Sequence, residues 1–261
     1  MMQASRQQGG EGAPERGPVL VTLDVDWAPD WMIEAVAMRL VKAGVRATWF
    51  ATHDSPAMRQ LRHEPLFEIG LHPNFLPGSS HGATPDAVFG TLRGWFPDAT
   101  TCRTHSLVMS EPLLAQMACR FGIEIDCSVH LPRTAHVVPH ELHLSERGDS
   151  LIRLPHVFQD NMHAMSRRSW TFAGVGLETP GWKVLNFHPV HVILNSADLQ
   201  RYEALKRSGP LSAITRADLP PIGMDGPGTG TFFDAVLAEL GGQRSFTVQE
   251  RVLLWSGEGR S

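Results

Sequence analysis

From Pro18 to Val129 short apolar runs alternate with segments whose apolar residues recur at helical spacing, and nothing else in the chain narrows its fold as much. PVLVTLDVD, bounded by Gly17 and followed by Pro29 and Asp30, reads as a buried strand, and WMIEAVAMRLVKAG reads as a helix that stops at Gly44. VRATWFAT is a second strand, SPAMRQLR a short helix and LFEIGLH a third strand. TPDAVFGTLRGWF is a helix capped by Thr84 with Pro85 at its first position. ATTCRTHSL, EPLLAQMACRFG and IEIDCSV continue the order. Strands that alternate with helices predict a parallel sheet with helices packed outside it, and a parallel barrel is the economical form.

Beyond this stretch the rhythm loosens. Residues 131–148 are rich in His, Pro and polar residues without a period, which predicts an irregular excursion. SLIRLPHVF and WKVLNFHPVHVIL predict later strands. SADLQRYEALKRSG predicts a helix capped by Ser196 and stopped by Gly209, PPIGMDGPGTG a loop, and TFFDAVLAELGG a further helix. FTVQERVLLW fits either a closing strand or a helix. The opening MMQASRQQGGEGAPERG cannot bury enough apolar surface to order itself and has no apolar core of the kind a secretion signal needs. It is expected to be a disordered tail over residues 1–17, with a single domain over 18–261.

Several classes of function fall away on composition. No apolar run is long enough to cross a bilayer, so no membrane span is expected. The net charge of −4, without a basic cluster, argues against nucleic acid as a partner. Cys102, Cys119 and Cys127 are odd in number and lack CxxC spacing, which excludes a disulfide framework and a cysteine zinc knuckle and suits a reducing, cytoplasmic setting.

The chemistry collects at strand ends. Side chains alternate along a strand, so Asp24 and Asp26 are expected on one face at the end of the first strand. Two adjacent buried carboxylates repel each other, and a divalent cation is the simple remedy. His72 ends the third strand, the same end of a neighbouring strand in a parallel sheet, where such folds assemble active sites from residues far apart in sequence. His81 lies further along that loop and can swing back as another ligand; Asn74 competes with it. Arg103, in RTHS, can hold Asp24 with paired N–H donors, and His105 shares its strand face. His188, after an apolar strand and just before Pro189, is the expected general acid, with Asp160 as the carboxylate that keeps it protonated. Trp27 and Phe75 adjoin these residues and can stack on a substrate ring.

At these residues, between about Val19 and Leu194, the sequence is similar to the polysaccharide deacetylases of carbohydrate esterase family 4, in particular the WbmS-type subgroup linked to surface-polysaccharide loci. Asp24 and Asp26 resemble the family's base and metal aspartates in D-x-D form. His72 matches the first histidine of the H-x-x-x-H motif, whose second position is Leu76 here, with His81 as a substitute. Arg103 to Ser106 resemble the third motif, with His105 where proline is common, and Leu185 to His188 match L-x-x-H. The resemblance implies a distorted α/β barrel of about seven repeats, short of the standard eight. It also implies a divalent ion, zinc or similar, held by Asp26, His72 and a third ligand from among His81, Asn74 and His105. The implied reaction removes an N-acetyl group from a sugar or polysaccharide precursor, with Asp24 as base and His188 as acid. Another amide hydrolysed on the same scaffold, or glycan binding without catalysis, are the alternatives.

Overall fold

The computed structural model describes residues 16–145, 148–219 and 226–258. The described strands are β1 (Arg16–Asp24), β2 (Ala47–Ala51), β3 (Phe67–Leu71), β4 (Thr101–Cys102), β5 (Ile125–Asp126), β6 (His140–His143), β7 (Ser150–Arg153), β8 (Phe158–Gln159) and β9 (Gly181–Phe187). The helices are α1 (Asp30–Ala43), α2 (Pro56–Leu61), α3 (Pro85–Trp95), α4 (Glu111–Cys119), α5 (Asp160–Ser166), α6 (Phe172–Val175), α7 (Pro189–Leu194), α8 (Gln200–Ser208), α9 (Thr229–Leu240) and α10 (Val248–Glu258). Strand and helix alternate over the first half, as the periodicity predicts. Helices α2, α3 and α4 share one starting device. Ser55, Thr84 and Ser110 each accept a backbone N–H of the first turn, and a proline follows within the next two residues.

The strands form one sheet in the order β6-β7-β5-β4-β3-β2-β1-β9-β8, parallel throughout except for β6. Its two ends are joined by the chain itself. β7 pairs with β5, β8 pairs with β9, and the intervening Leu154 and Val157 donate to Asp126 and Val184 respectively. The segment 150–159 therefore lies against one neighbour with its first half and the other with its second. Without antiparallel β6, and with β7 and β8 taken together, the nine strands occupy seven positions of a curled, barrel-like sheet.

Alternation along the strands separates two cores. Val21, Leu23, Trp49, Leu71, Leu185 and Phe187 face outward, under the helices. Leu20, Phe50, Ile125, Cys127, Leu154, Trp182 and Val184 face inward and meet Val248 and Val252 of α10. This last helix plugs the end where the strands begin. Its first turn donates Val248 N–H to Thr48 Oγ1 at 2.9 Å and Gln249 N–H to Glu68 Oε2 at 3.0 Å, while Thr48 (2.7 Å) and Thr101 also donate to the Glu68 carboxylate. Burial pushes the Glu68 carboxyl above its ordinary value, more than these hydrogen bonds lower it.

Several expectations change in detail. The expected tail lies outside the described residues as far as residue 15, and Arg16 and Gly17 already belong to β1. The strand read into HPVHVIL stops at Phe187, because Pro189 lacks the N–H a ladder needs and instead opens α7. Residues 131–148 contain β6, paired antiparallel on the outer edge. FTVQERVLLW becomes helix α10, and helix α8 begins at Gln200, leaving Ser196 Oγ against His191 Nδ1 instead of capping. The loop expected over PPIGMDGPGTG lies partly outside the described residues.

Candidate active site

Every parallel strand ends on the same edge of the sheet, and the residues singled out at strand ends meet there. Asp24 is the last residue of β1 and is buried. Asp26 reaches the same place differently from the expected shared strand face: β1 has already ended, and Asp26 and Trp27 both take left-handed backbone (φ 45° and 56°) in a turn. Trp27 N–H donates to Thr52 Oγ1 at 3.0 Å and Ala28 N–H to the Val25 carbonyl at 2.9 Å. Left-handed conformations at non-glycine residues are costly, and this pair directs a carboxylate back over the strand end.

Arg103, fully buried after β4, anchors the base of the site. Its Nη1 donates to Asp24 Oδ1 at 2.9 Å, Asn186 Oδ1 at 2.8 Å and Thr22 Oγ1 at 2.9 Å, and its Nε donates to the Cys127 carbonyl at 3.2 Å. The guanidinium lies 4.4 Å from the centroid of the Phe50 ring. That ring fits because residue 70 is glycine: a Cβ there would come within 2.8 Å of the Phe50 ring and 2.9 Å of the Thr101 carbonyl oxygen. Asn186 Nδ2 donates to the other oxygen of Asp24 at 2.7 Å. Burial alone would raise the Asp24 carboxyl, but Arg103, then His72 and His188, outweigh it and hold it below its ordinary value.

Around Asp26 three ring nitrogens converge. His72 Nε2 is 3.1 Å and His105 Nδ1 3.0 Å from Asp26 Oδ1, and His188 Nε2 is 3.5 Å from Oδ2. His72 Nδ1 donates to the Arg103 carbonyl at 2.6 Å, which orients the ring with Nε2 toward Asp26. Donor atoms of Asp26, His72 and His105 lie within 4.8 Å of one another, close enough to hold one ion. Two imidazoles and a carboxylate suit a divalent cation of borderline softness, so this set fits zinc. Burial would raise the Asp26 carboxyl, yet hydrogen bonds from His105 and His72 hold it well below its ordinary value.

His188 faces both carboxylates, with Nε2 3.9 Å from Asp24 Oδ2. Asp160, buried at the start of α5, grips it twice: Oδ2 accepts the His188 backbone N–H at 2.7 Å and Oδ1 lies 2.5 Å from Nδ1. Burial favours the neutral ring, but Asp160, followed by Asp26 and Asp24, overcomes this and raises the His188 pKa to about 10. His191 behaves oppositely. Burial pushes it down to about 4, and its Nδ1 rests against Ser196 Oγ. Asp160, His188 and His191 also offer donors within 4.8 Å of one another, but the His188–Asp160 contact engages the first two.

Other expected residues are placed differently. His81 uses both nitrogens locally: Nδ1 accepts from Asn74 N–H at 3.0 Å and Nε2 donates to the Thr52 carbonyl at 2.6 Å. Asn74 Oδ1 accepts from Leu76 N–H, closing a turn. Of the three candidates for a third donor, His105, carried by the turn after β4, is the one whose ring nitrogen lies beside Asp26 and His72. Trp27 stands edge-on to His105 (centroids 5.3 Å) and near His81 (5.8 Å), beside the donor set. Phe75 packs against Phe89 of α3 (5.8 Å). Asn186, Thr22 and Gly70 escaped the reading of the sequence. Asn186 alone left a trace, as a polar residue in an apolar strand two positions before His188.

The profile of a family described as WbmS-like polysaccharide deacetylase matches residues 21–206. Among solved structures, a candidate polysaccharide deacetylase involved in O-antigen biosynthesis from Bordetella bronchiseptica is 29% identical to this chain, with a TM-score of 0.71 over 86% of this chain and 91% of its own. The peptidoglycan N-acetylglucosamine deacetylase Bc1960 aligns at 14% identity over 91% of this chain and 89% of its own, with a TM-score of 0.45. The carbohydrate esterase family 4 pseudoenzyme BA3943 from Bacillus anthracis aligns at 12% identity over 91% and 66%, with a TM-score of 0.41. No curated protein matches significantly. Among the described residues no helix is long and apolar enough to cross a membrane.

Proposed function

The chain belongs to the WbmS-like family of polysaccharide deacetylases, and from that premise we propose that it hydrolyses the N-acetyl group of an acetylated sugar or glycan precursor in a metal-dependent reaction. The observation that carries the proposal is the pairing of opposites in one site: a carboxylate that Arg103 holds below its ordinary pKa, Asp24, faces an imidazole that Asp160 holds above its own, His188, at 3.9 Å. Binding alone needs no such base and acid.

Asp26, His72 and His105 are the residues that would hold the ion, His105 being one of the three candidates the sequence offered for the third ligand. The chemistry such an ion supplies is Lewis acidity toward water and the amide carbonyl. Asp24 takes the proton of the attacking water. Arg103 and Asn186 position it and keep it ionised, so it is ready to act near neutral pH. His188, held by Asp160, gives its proton to the amide nitrogen as the C–N bond breaks, releasing acetate and the free amine. Trp27 offers the sugar an aromatic face beside the donors, whereas Phe75 is committed to packing on Phe89.

The test is acetate release from acetamido sugars by zinc-loaded protein, read together with bound zinc. Asp24→Asn should lower turnover roughly 10²–10⁴-fold with the zinc content unchanged. Full turnover in that variant would reject Asp24 as the base. Wild-type protein that holds zinc yet releases acetate from no acetamido sugar would reject the reaction itself.

A further inference from the structure

Beside the site, between the loop after β5 and helix α5, lies a cavity whose wall includes His130, Arg133, Gln159, Met162, His163 and Arg168. Its position follows from topology. His130 comes after β5 and Gln159 ends β8, so both belong to the strand edge that carries Asp24 and His188. Asp160, which grips His188, is the residue after Gln159, and His163 lies one helical turn further, roughly 5 Å along α5.

The charge of this cavity is one-sided. Arg133 and Arg168 form no ion pair among the described residues, and no Asp or Glu contributes to the wall. Both arginines are exposed, and Arg133 is tethered at its backbone and stem. Its backbone is left-handed (φ 56°), its N–H donates to the Val157 carbonyl at 3.3 Å, and its stem lies on Gly176, where a Cβ would stand 3.1 Å from Arg133 Cγ. His130 stacks on His156 with centroids 4.8 Å apart and planes 9° from parallel. The Nε2 of His130 is buried and lacks a hydrogen-bond partner among the described residues.

We propose that this cavity is an anion subsite: the sugar whose acetamido group meets Asp24 and His188 also carries a carboxylate or phosphate, held by Arg133 and Arg168. Guanidinium groups match both anions through paired N–H donors. The identity of the ligand as a sugar rests on the deacetylase reading, while the affinity for an anion does not.

The experiment measures binding by calorimetry and acetate release on zinc-loaded protein. Three probes are used: neutral N-acetylglucosamine as internal reference, its 1-phosphate, and 2-acetamido-2-deoxyglucuronate. Wild-type protein should prefer at least one anionic probe to the neutral one. That preference should fall about tenfold in Arg133→Gln or Arg168→Gln and on the order of 100-fold in the double variant. The probe that shows the loss identifies the anion as phosphate or carboxylate. Equal affinity of the wild type for all three probes, or an unchanged preference in a folded double variant, would overturn the subsite. An arginine-dependent preference without acetate release from any probe would keep the subsite and overturn the deacetylase reading.

Discussion

Two carboxylates lie at opposite ends of the curled sheet, and the protein treats them in opposite ways. At the end where strands finish, Asp24 is met by the full charge of Arg103 and by the amide of Asn186, and its pKa falls. At the end where strands begin, Glu68 is met by the hydroxyls of Thr48 and Thr101 and the N–H of Gln249, and its pKa rises. Burial pushes both upward. The difference is that dipoles offset only part of the desolvation, whereas a buried guanidinium reverses it. The group we propose as the base is given a formal counter-charge. A group that only has to seat the first turn of α10 is not.

The strongest attack on this contrast is Arg103→Met. It leaves Asp24 buried opposite no guanidinium and should cost about 3–5 kcal/mol in denaturant unfolding. Unchanged stability would mean that Asn186 and His72 suffice and that the two ends differ less than described. A smaller effect is expected from the plugged end. Val252→Ala removes apolar volume beneath α10 and should cost about 2 kcal/mol, with zinc binding and acetate release unaltered. A matching loss of zinc would show that the two ends are coupled. The smallest effect concerns pH. A carboxyl with a raised folded pKa contributes stability that is fully present below its ordinary value of 4.5 and is lost as pH rises through the folded value. Glu68→Gln lacks this loss, so its melting temperature should gain on the wild type as pH rises above 4.5. A constant difference between the two proteins across that range would contradict the assignment.

What could be read from the sequence follows the same division. Periodicity and strand-end position were sufficient to gather Asp24, His72, Arg103 and His188, because in a parallel sheet the end of each strand is an address. Asp26 was found for a reason only half correct, since its place depends on two consecutive left-handed residues and not on strand alternation. His81 looked as good a ligand as His105. A histidine's partners are set by the loop's own turns, here the Thr52 carbonyl and the Asn74 N–H, and spacing does not encode them. The plug was ambiguous in FTVQERVLLW because its apolar residues face a barrel interior whose shape is known only once the strands are assembled. Gly70 and Phe50 carry no local signal of chemistry, although together they form the seat of the buried guanidinium.

The placement of β1 between β2 and β9 has a consequence for the order in which the molecule can be made. Thr22 donates its hydroxyl to Leu185, 163 residues later, so one edge of the first strand has no native partner until most of the polypeptide has left the ribosome. At ~5–20 residues per second that edge stays bare for roughly 8–30 s, along with the Asp24 oxygen that awaits Asn186. During synthesis the nascent chain therefore carries an open, apolar template for pairing with other chains, and the arrival of β9 both removes that hazard and completes the setting of Asp24.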